Sequence, residues 1–375
     1  MQDNNSQPNN TSDTDKSGMI DDEKNKNKTI VDFPLIVIGA SMGGMNAIQA
    51  ITSMLPGNLE AAVLIVWHMP AETLGILPQV LNRQRGLIAS NAKDGEEIQK
   101  GHIYVAPPDH HLLVEGNKLR TTKGPKENRF RPAVDPLFRS AAYEYGTGVI
   151  GIILSGALDD GKSGLWTIKN RGGIAIVQDP NDAEVSSMPQ NAIRYVAVDY
   201  VVPVAEIPHL LMSLVKEQIL IPKHTVMKKD ERLDIELTIA ADENGLNKNV
   251  MSLGELSPFT CPECHGVLTA IMEGDYQRFR CHTGHAFSSD SLLAALTEHI
   301  EESLWDAIRS IKESTMLMNH IGDHFADRND SKMAGLYFRK AQEAQDRARQ
   351  VRAVVTKHEQ LSKENVEEGL QQERS

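Results

Sequence analysis

Residues 35–44 of this chain read LIVIGASMGG, and this stretch determines the fold class. The apolar run LIVI predicts a buried strand, and the apolar spacing of the following GMNAIQAITSML predicts a helix. Between them, residues 39–43 fit the G-x-S-x-G pattern of a nucleophile elbow, in which a tight turn presents the serine. We expect the two glycines because side chains on either side of the serine would collide, and we expect amides at the helix start to face an oxyanion.

The same alternation of apolar runs and helical segments continues to about residue 218. Runs such as AAVLIVW and GVIGIIL are apolar at every position, which indicates strands covered on both faces and therefore a parallel sheet. We predict an α/β fold with a doubly wound, mostly parallel sheet and helices on both faces. Residues 102–122 interrupt the pattern and predict an inserted β-hairpin that turns at Gly116-Asn117.

Composition divides the 375 residues into five predicted parts. They are a disordered polar tail at 1–30, the α/β domain at 31–218, a linker at 219–256, a small zinc-ribbon-like segment at 257–290 and a helical tail at 291–375. Within the helical tail, two segments of helical periodicity flank Arg-Asn-Asp at 328–330, which predicts an α-hairpin.

The charge and the apolar runs argue against several classes of protein. A formal net charge of −12 and an aromatic content of 5% argue against binding to nucleic acid. No apolar run approaches the roughly 18 residues that a membrane helix needs, so direct membrane insertion is not expected. The N-terminal residues lack the features of a signal peptide, and all three cysteines lie in one cluster. These features predict a cytoplasmic protein.

A histidine and two aspartates follow other predicted strands. His68 ends the second strand, and Asp159 and Asp160 come just after the strand GVIGIIL. The carboxyl ends of neighbouring parallel strands form the ligand crevice of such folds, where a histidine can take the proton of a serine and an acid can hold the imidazole. The spacing leaves open which aspartate does so, and the alternatives are a strand-capping histidine and a solvated or helix-capping aspartate.

A phosphate-binding glycine loop is the alternative interpretation of residues 39–44. Two features disfavour it, since Ser41 stands at the second glycine position of G-x-G-x-x-G and the second strand ends in Trp67-His68 instead of an acid for the ribose. The order Ser…His…Asp also differs from the Ser…Asp…His order of α/β-hydrolases.

The cysteines form a metal-binding pattern. Cys261 and Cys264 make a C-x2-C pair, and after sixteen residues Cys281 and His285 make a C-x3-H pair. This arrangement predicts a tetrahedral, structural Zn²⁺ site, with His285 as the fourth ligand and His282 as its alternative. Unligated reduced thiols are the other interpretation.

Six motifs in order resemble one known family. They are GASMGG, HMP, YVAPPDHHLLVEG, RFRPAVDPLFRSAA, ILSGALDDGKSG and QDPNDAEVSSMPQNAI. Together, over residues 34–218, they resemble the catalytic domain of the CheB family, the receptor methylesterases of bacterial chemotaxis. The resemblance implies hydrolysis of glutamate methyl esters on methylated chemoreceptors or receptor-like proteins, with release of methanol and no catalytic cofactor. Some members of the family also deamidate glutamine.

The resemblance also assigns roles to individual residues. It implies that Ser41 is the nucleophile, that His68 is the general base, and that the acid is Asp160, the aspartate of the Asp-Gly pair, with Asp159 in no catalytic role.

Further residues are placed near the cleft by the same resemblance. Backbone amides near Met42 and Ala157 are expected to hold the oxyanion, although the family usually has threonine and methionine at these two positions. Arg131 and Asp135 of the RPAVD segment are expected beside the cleft or, alternatively, in a structural ion pair.

The C-terminal half resembles the ribbon and helical tail that follow some free-standing methylesterase domains. We therefore expect a free-standing form without the N-terminal response-regulator domain of well-known members, and a separate regulatory partner in its place. The alternative functions are a signalling scaffold that works through the ribbon and helices and, less favoured by the charge, a nucleotide-binding or nucleic-acid-binding protein.

Overall fold

A computed structural model of the chain describes residues 33–84, 86–219, 230–241, 250–358 and 361. The tail predicted at 1–30 lies outside the described residues, as do parts of the predicted linker and the last residues of the helical tail.

The α/β unit contains strands and helices in alternation. Its strands are β1 (Leu35–Ala40), β2 (Ala62–Trp67), β3 (Ile88–Asn91), β4 (His102–Val105), β5 (His111–Glu115), β6 (Lys118–Thr122), β7 (Val149–Ile153), β8 (Ile174–Gln178) and β9 (Tyr200–Val202). Its helices are α1 (Gly44–Met54), α2 (Leu77–Leu81), α3 (Val134–Tyr145), α4 (Lys162–Asn170), α5 (Ser187–Tyr195) and α6 (Ile207–Ile219), with a 3-10 turn at Gly146–Gly148.

Seven of these strands form one parallel sheet in the order β3-β4-β2-β1-β7-β8-β9. Successive residues of β1 enter different cores, since Val37 packs with helices α3, α4 and α5 and Ile38 packs with α1, α2 and α6. Side chains alternate between the faces of a strand, so a strand with helices on both sides must be apolar throughout. The predicted doubly wound fold is confirmed.

The inserted hairpin is shorter than the sequence suggests. Strands β5 and β6 pair antiparallel around Gly116-Asn117, as predicted. Residues His102–Val105, however, form β4 of the main sheet and pair in parallel with β2 and β3, so the prediction of a hairpin from residue 102 was wrong at its start. A short apolar run does not by itself distinguish a hairpin strand from a buried parallel strand.

The C-terminal half comprises a small antiparallel sheet and two long helices. The sheet contains β10 (Glu255–Thr260), β11 (Val267–Glu273), β12 (Tyr276–Cys281) and β13 (Ala286–Ser288) in sequence order. Helices α8 (Ser289–Asp327) and α9 (Ser331–Val355) form an α-hairpin across residues 328–330, and Asp330 caps α9 by accepting from the amide of Met333 at 3.1 Å. No helix in the described ranges is long and apolar enough to cross a membrane.

A helix lies within the segment predicted as a linker. Helix α7 (Glu231–Ala241) packs against α3 and β6 of the α/β unit, and the carbonyl of Ala240 accepts from Thr122 Oγ1 at 2.6 Å. Its buried Glu236 contributes to the polar interface described next.

A buried network of ion pairs joins the α/β unit, α7 and the ribbon. Its members are Glu127, Arg139, Glu236, Glu273, Arg278 and Arg280. Glu127 pairs with Arg139 of its own unit and, at 2.7 Å, with Arg280 of the ribbon. Three positive and three negative charges balance, which a solvent-excluded interface requires. The two halves of the chain therefore share one buried interface.

Candidate active site

Ser41 lies in the turn between β1 and α1, and the neighbouring glycines make room for other segments. Gly43 has a φ of 75°, and a Cβ there would lie 2.6 Å from Cβ of Glu184. A Cβ on Gly39 would lie 2.4 Å from Cγ1 of Val134. The glycines are therefore needed because α3 and the loop before α5 approach the elbow so closely.

His68 follows β2 and connects the cleft to a buried acid. Its Nε2 lies 2.7 Å from Oδ2 of Asp160. Its ring stacks on Phe130, with centroids 3.8 Å apart and planes at 11°. The imidazole is thus fixed in orientation by a hydrogen bond at one nitrogen and by an aromatic face.

Asp160 is surrounded by donors. Oδ2 accepts from His68 and from the amide of Val134 at 2.6 Å, and Oδ1 accepts from Asn128 Nδ2 and from the amide of Gly161, both at 2.9 Å. Burial alone would raise the pKa of this carboxyl, but the hydrogen bond and charge of His68, with the donors from Val134 and Asn128, lower the pKa below its ordinary value. Asp160 is therefore a carboxylate at neutral pH.

The ionised Asp160 determines the tautomer of His68. A carboxylate only accepts hydrogen bonds, so the proton of the neutral imidazole resides on Nε2. Nδ1 is then the free lone pair, and no group in the described part of the chain hydrogen-bonds this buried atom. Such an atom is available to accept a proton from a group in the cleft.

Asp159 has a different environment from that of Asp160. It is buried, not solvated, and its Oδ2 accepts from Lys162 Nζ at 2.6 Å. Its Oδ1 accepts from Ser288 Oγ at 2.6 Å, at the start of α8. Of the two aspartates, only Asp160 has a described hydrogen bond to His68.

The predicted cleft residues meet around one cavity of about 710 Å³. Ser41, Met42, His68, Arg131 and Ala157 all line it. Much of the remaining wall is apolar and comes from Met45, Trp67, Met69, Pro70 and Phe130. The structure thus places Ser41, His68 and three of the four predicted cleft residues around one cavity, whereas Asp160 lies behind His68 and Asp135 does not line the cavity.

Arg131 and Asp135 do not form the ion pair that was one of their predicted roles. Arg131 lies in the cleft wall and donates to Asp109 Oδ1 from Nε at 2.9 Å and from NH2 at 2.7 Å. Asp135 is buried behind Asp160, away from the cleft, where burial and the neighbouring charge of Asp160 raise its pKa to about 8.

Asn128 and Phe130 are part of the site but were not predicted. Both belong to the loop before α3, and Asn128 and Arg129 have φ values of 49° and 77°. Phe130 lies within the RFRPAVDPLFRSAA motif, which assigned it no role, and Asn128 lies just before that motif in a polar stretch without periodicity.

The cysteines and one histidine form a compact cluster in the ribbon. The ligand atoms of Cys261, Cys264, Cys281 and His285 all lie within 4.8 Å of one another, and Cys264 and Cys281 Sγ are 3.6 Å apart. A tetrahedral zinc with bonds of about 2.3 Å to sulfur has edges of about 3.8 Å, so the residues fit this ion. His282 is exposed and lies against Gly266, outside the cluster.

Sequence comparisons with known proteins match about half of this chain to a single family. Residues 36–211 match the family described as CheB methylesterase. A putative protein-glutamate methylesterase/protein-glutamine glutaminase of Leptospira interrogans is 40% identical over 185 residues, which are 49% of this chain and 96% of that protein. The protein-glutamate methylesterase/protein-glutamine glutaminase of Thermotoga maritima is 35% identical over 192 residues, 50% of this chain and 56% of that protein. The crystal structure of the Thermotoga maritima CheB methylesterase catalytic domain is 36% identical, with a TM-score of 0.48 over 49% of this chain and all of that domain.

Proposed function

This chain belongs to the CheB methylesterase family, and from that premise we propose that it is a serine hydrolase that demethylates glutamate methyl esters on chemoreceptors or receptor-like signalling proteins in the cytoplasm. The observation that carries the proposal is the position of His68, with Nε2 bound to Asp160 and the ring lining the same cleft as Ser41. We assign the activity to residues 31–218.

The first half of the reaction uses Ser41 and His68. Nδ1 of His68 accepts the proton of Ser41 as the serine oxygen attacks the ester carbonyl. The imidazolium that forms is stabilised by Asp160, whose carboxylate accepts from the amide of Val134 in α3 and from that of Gly161, the N-cap of α4. His68 then returns the proton to the methoxy oxygen, and methanol leaves an acyl-enzyme.

Two backbone amides are the candidates for the oxyanion hole. The amide of Ser41 donates to the carbonyl of Ser155, and that of Gly156 donates to Val185, both at 3.0 Å, so neither is available to the substrate. Met42 and Ala157 both line the cleft, and we assign the role of oxyanion donors to their backbone amides. Both are backbone groups, and the side chains that differ from the family pattern do not remove them.

The second half hydrolyses the acyl-enzyme. A water molecule replaces methanol, gives its proton to His68 and attacks the same carbonyl, and Ser41 leaves with that proton. The products are a glutamate carboxylate and the free enzyme. The same steps with a glutamine amide would release ammonia, which would account for a glutaminase activity.

The wall of the cleft suits a neutral ester. Trp67, Met69 and Phe130 present apolar surface to the cleft. The indole Nε1 of Trp67 donates to the carbonyl of Ser41 at 3.0 Å. The cations that line the cavity, Lys126, Arg129 and Arg131, are already paired with Glu263, Glu298 and Asp109. Burying a further carboxylate against this wall is therefore costly, whereas a methyl ester meets no such penalty. We expect the cleft to discriminate in favour of the substrate and to release the charged product.

We assign a structural Zn²⁺ to the cluster of Cys261, Cys264, Cys281 and His285. Their spacing in the chain and their mutual distances support this assignment. A site with four protein ligands has no open position for substrate, so the ion would stabilise the ribbon instead of supplying chemistry.

A signalling scaffold is the second candidate function. It is favoured by the α-hairpin, on which large apolar side chains such as Met316, Leu317 and Val354 are exposed. A fluorophosphonate probe separates the two functions, because only an activated serine reacts with it. Labelling of the wild-type chain that is lost in Ser41→Ala and His68→Ala would support the esterase. An unlabelled wild-type chain would favour the scaffold.

A further inference from the structure

The side chain of Asn128 connects the proposed catalytic acid to the C-terminal half. Its Nδ2 donates to Asp160 Oδ1 and to Asp135 Oδ2, each at 2.9 Å. Its Oδ1 accepts from the amide of Ser288 at 2.9 Å and from Ser291 Oγ at 3.0 Å. The buried side-chain amide of Asn128 therefore makes two hydrogen bonds to carboxyl groups and two to residues at the start of α8.

The α8 side of this connection is built around a helix cap. Ser288 is the N-cap of α8, and its Oγ accepts from the amide of Ser291 at 2.9 Å while donating to Asp159 at 2.6 Å. The helix is 39 residues long, and the positive end of its dipole faces Oδ1 in the side chain of Asn128. Polarisation of this amide strengthens the hydrogen bond that it donates to Asp160.

The backbone of the same loop also depends on the C-terminal half. The amide of Asn128 donates to the carbonyl of Ala286 in β13 at 2.8 Å. Arg129, which has a φ of 77°, pairs its guanidinium with Glu298 of α8. A left-handed conformation is unfavourable for arginine, so contacts from the ribbon and α8 help to hold the loop in the conformation that presents Asn128.

We propose that Asn128 is a positioning residue for Asp160, and that the ribbon and α8 are required, through Asn128, for full turnover. The proposal rests on the esterase function proposed above. It gives the C-terminal half a role in the reaction, although none of the residues described in that half lines the cleft. Loss of the Ser288–Ser291 cap would lower the rate of ester hydrolysis without changing access of the substrate to the cleft.

The first test compares Asn128→Ala and Ser291→Ala with the wild-type full chain on a soluble ester such as p-nitrophenyl acetate. Loss of a hydrogen bond to a charged group predicts a kcat about ten- to a hundredfold lower for Asn128→Ala. The loss in Ser291→Ala should be smaller, since the Ser288 amide still holds Asn128. KM should stay nearly constant, because Asn128 does not line the cleft.

The pH profile separates positioning from a merely structural role. Without the Asn128 donor the Asp160 carboxylate is less stabilised, so the acid limb of kcat should move to higher pH in Asn128→Ala. The titratable groups that face Asp160 are His68, Asp135 and the buried His111, and all three are present in every variant.

Asn82→Ala is the matched control. Like Asn128, Asn82 uses both atoms of its side-chain amide: Nδ2 donates to the carbonyl of Ala89 and Oδ1 accepts from the amide of Ala89, each at 2.8 Å. In the described structure Asn82 has no contact with the triad. It should keep its kcat and pH profile even if its thermal midpoint falls. The proposal would be overturned if the Asn128→Ala and Ser291→Ala variants are folded and also keep the wild-type kcat and pH profile.

A spectroscopic test does not depend on turnover. The proton between His68 Nε2 and Asp160 should give a low-field proton NMR resonance in the wild-type chain and in Asn82→Ala. We expect it to shift or broaden in Asn128→Ala, or in Ser291→Ala if the first variant does not fold. An unchanged resonance would overturn the positioning role, whereas a wild-type chain without esterase activity would instead refute the proposed function.

Discussion

Glu127 of the α/β unit and Arg280 of the ribbon form an ion pair of 2.7 Å that is closed to solvent. The pair lies in the network of three arginines and three glutamates that includes α7. Such a network is neutral only while it is complete, so its members are expected to be far more sensitive to substitution than surface ion pairs.

Arg280→Met tests the strength of this interface. The change leaves Glu127 and Glu236 short of a partner in a buried site, which is expected to cost about 3–5 kcal/mol of unfolding free energy. Urea denaturation of the full chain measures it. Arg309→Met is the control, because Arg309 pairs with Asp306 on the exposed surface of α8 and should change the free energy by less than about 1 kcal/mol. Similar small losses from both variants would contradict a shared interface.

The same glutamates predict how stability depends on pH. Burial alone would raise the pKa of Glu236, but Arg278, Arg280 and Arg139 lower it below its ordinary 4.5. The pKa of Glu127 is lowered in the same way by Arg139 and Arg280 against its burial. A carboxyl with a lowered pKa in the folded state stabilises the protein fully above its ordinary pKa and loses that contribution as the pH falls toward the lowered value.

Two other buried groups act between about pH 8 and pH 5 in opposite directions: Asp135, with its pKa raised to about 8, adds stability as the pH falls, and His111, with its pKa lowered below its ordinary 6.5, removes stability. Below about pH 4.5 the paired glutamates lose their contribution, so we expect the unfolding free energy to fall steeply there. Urea denaturation at several pH values would show the fall, which should be shallower in Arg280→Met. A free energy that does not fall below about pH 4.5, or a fall as steep in Arg280→Met as in the wild-type chain, would contradict the paired state of these carboxyls.

Asp159→Asn and Asp160→Asn should separate stability from catalysis. Asp160→Asn replaces the carboxylate that fixes the tautomer of His68, so kcat should fall by orders of magnitude. Asp159→Asn leaves the buried Lys162 without its charge partner but keeps an oxygen for Ser288, so the main loss should be in thermal stability. Measuring kcat and the thermal midpoint of each variant checks this prediction. Equal losses of kcat in Asp159→Asn and Asp160→Asn would contradict the distinction between the two aspartates.

Metal content tests the ribbon assignment. The purified chain should contain one Zn²⁺, and Cys264→Ser or removal by a chelator should lower the thermal midpoint, since the ion supports folding. His282→Ala is the control, because His282 lies outside the cluster, and it should keep the metal. A chain without zinc by elemental analysis, or an equal loss of metal in both variants, would contradict the assignment.

The sequence predicted the features that depend on local pattern. The elbow at Ser41 and the strand-end position of His68 follow from apolar runs and glycine spacing, because a parallel sheet brings consecutive strand ends to one edge. The cluster of Cys261, Cys264, Cys281 and His285 likewise follows from short spacings in the chain.

What could not be predicted depends on contacts between distant segments. Asn128 and Ser291 are 163 positions apart, and neither belongs to a periodic pattern. Arg278 and Arg280 have no such signal either, because their buried partners Glu236 and Glu127 lie 42 and 153 positions away in the chain. Propensity and spacing carry no information about such contacts, since they depend on how two separately patterned halves fit together.

Methanol release from methylated receptor membranes tests the central claim most directly. The purified full chain should release methanol, and Ser41→Ala should release none while keeping the wild-type thermal midpoint, since the serine hydroxyl is used only in the reaction. Release by the folded Ser41→Ala variant at the wild-type rate would contradict the proposed nucleophile, and no release by the wild-type chain would contradict the esterase function itself.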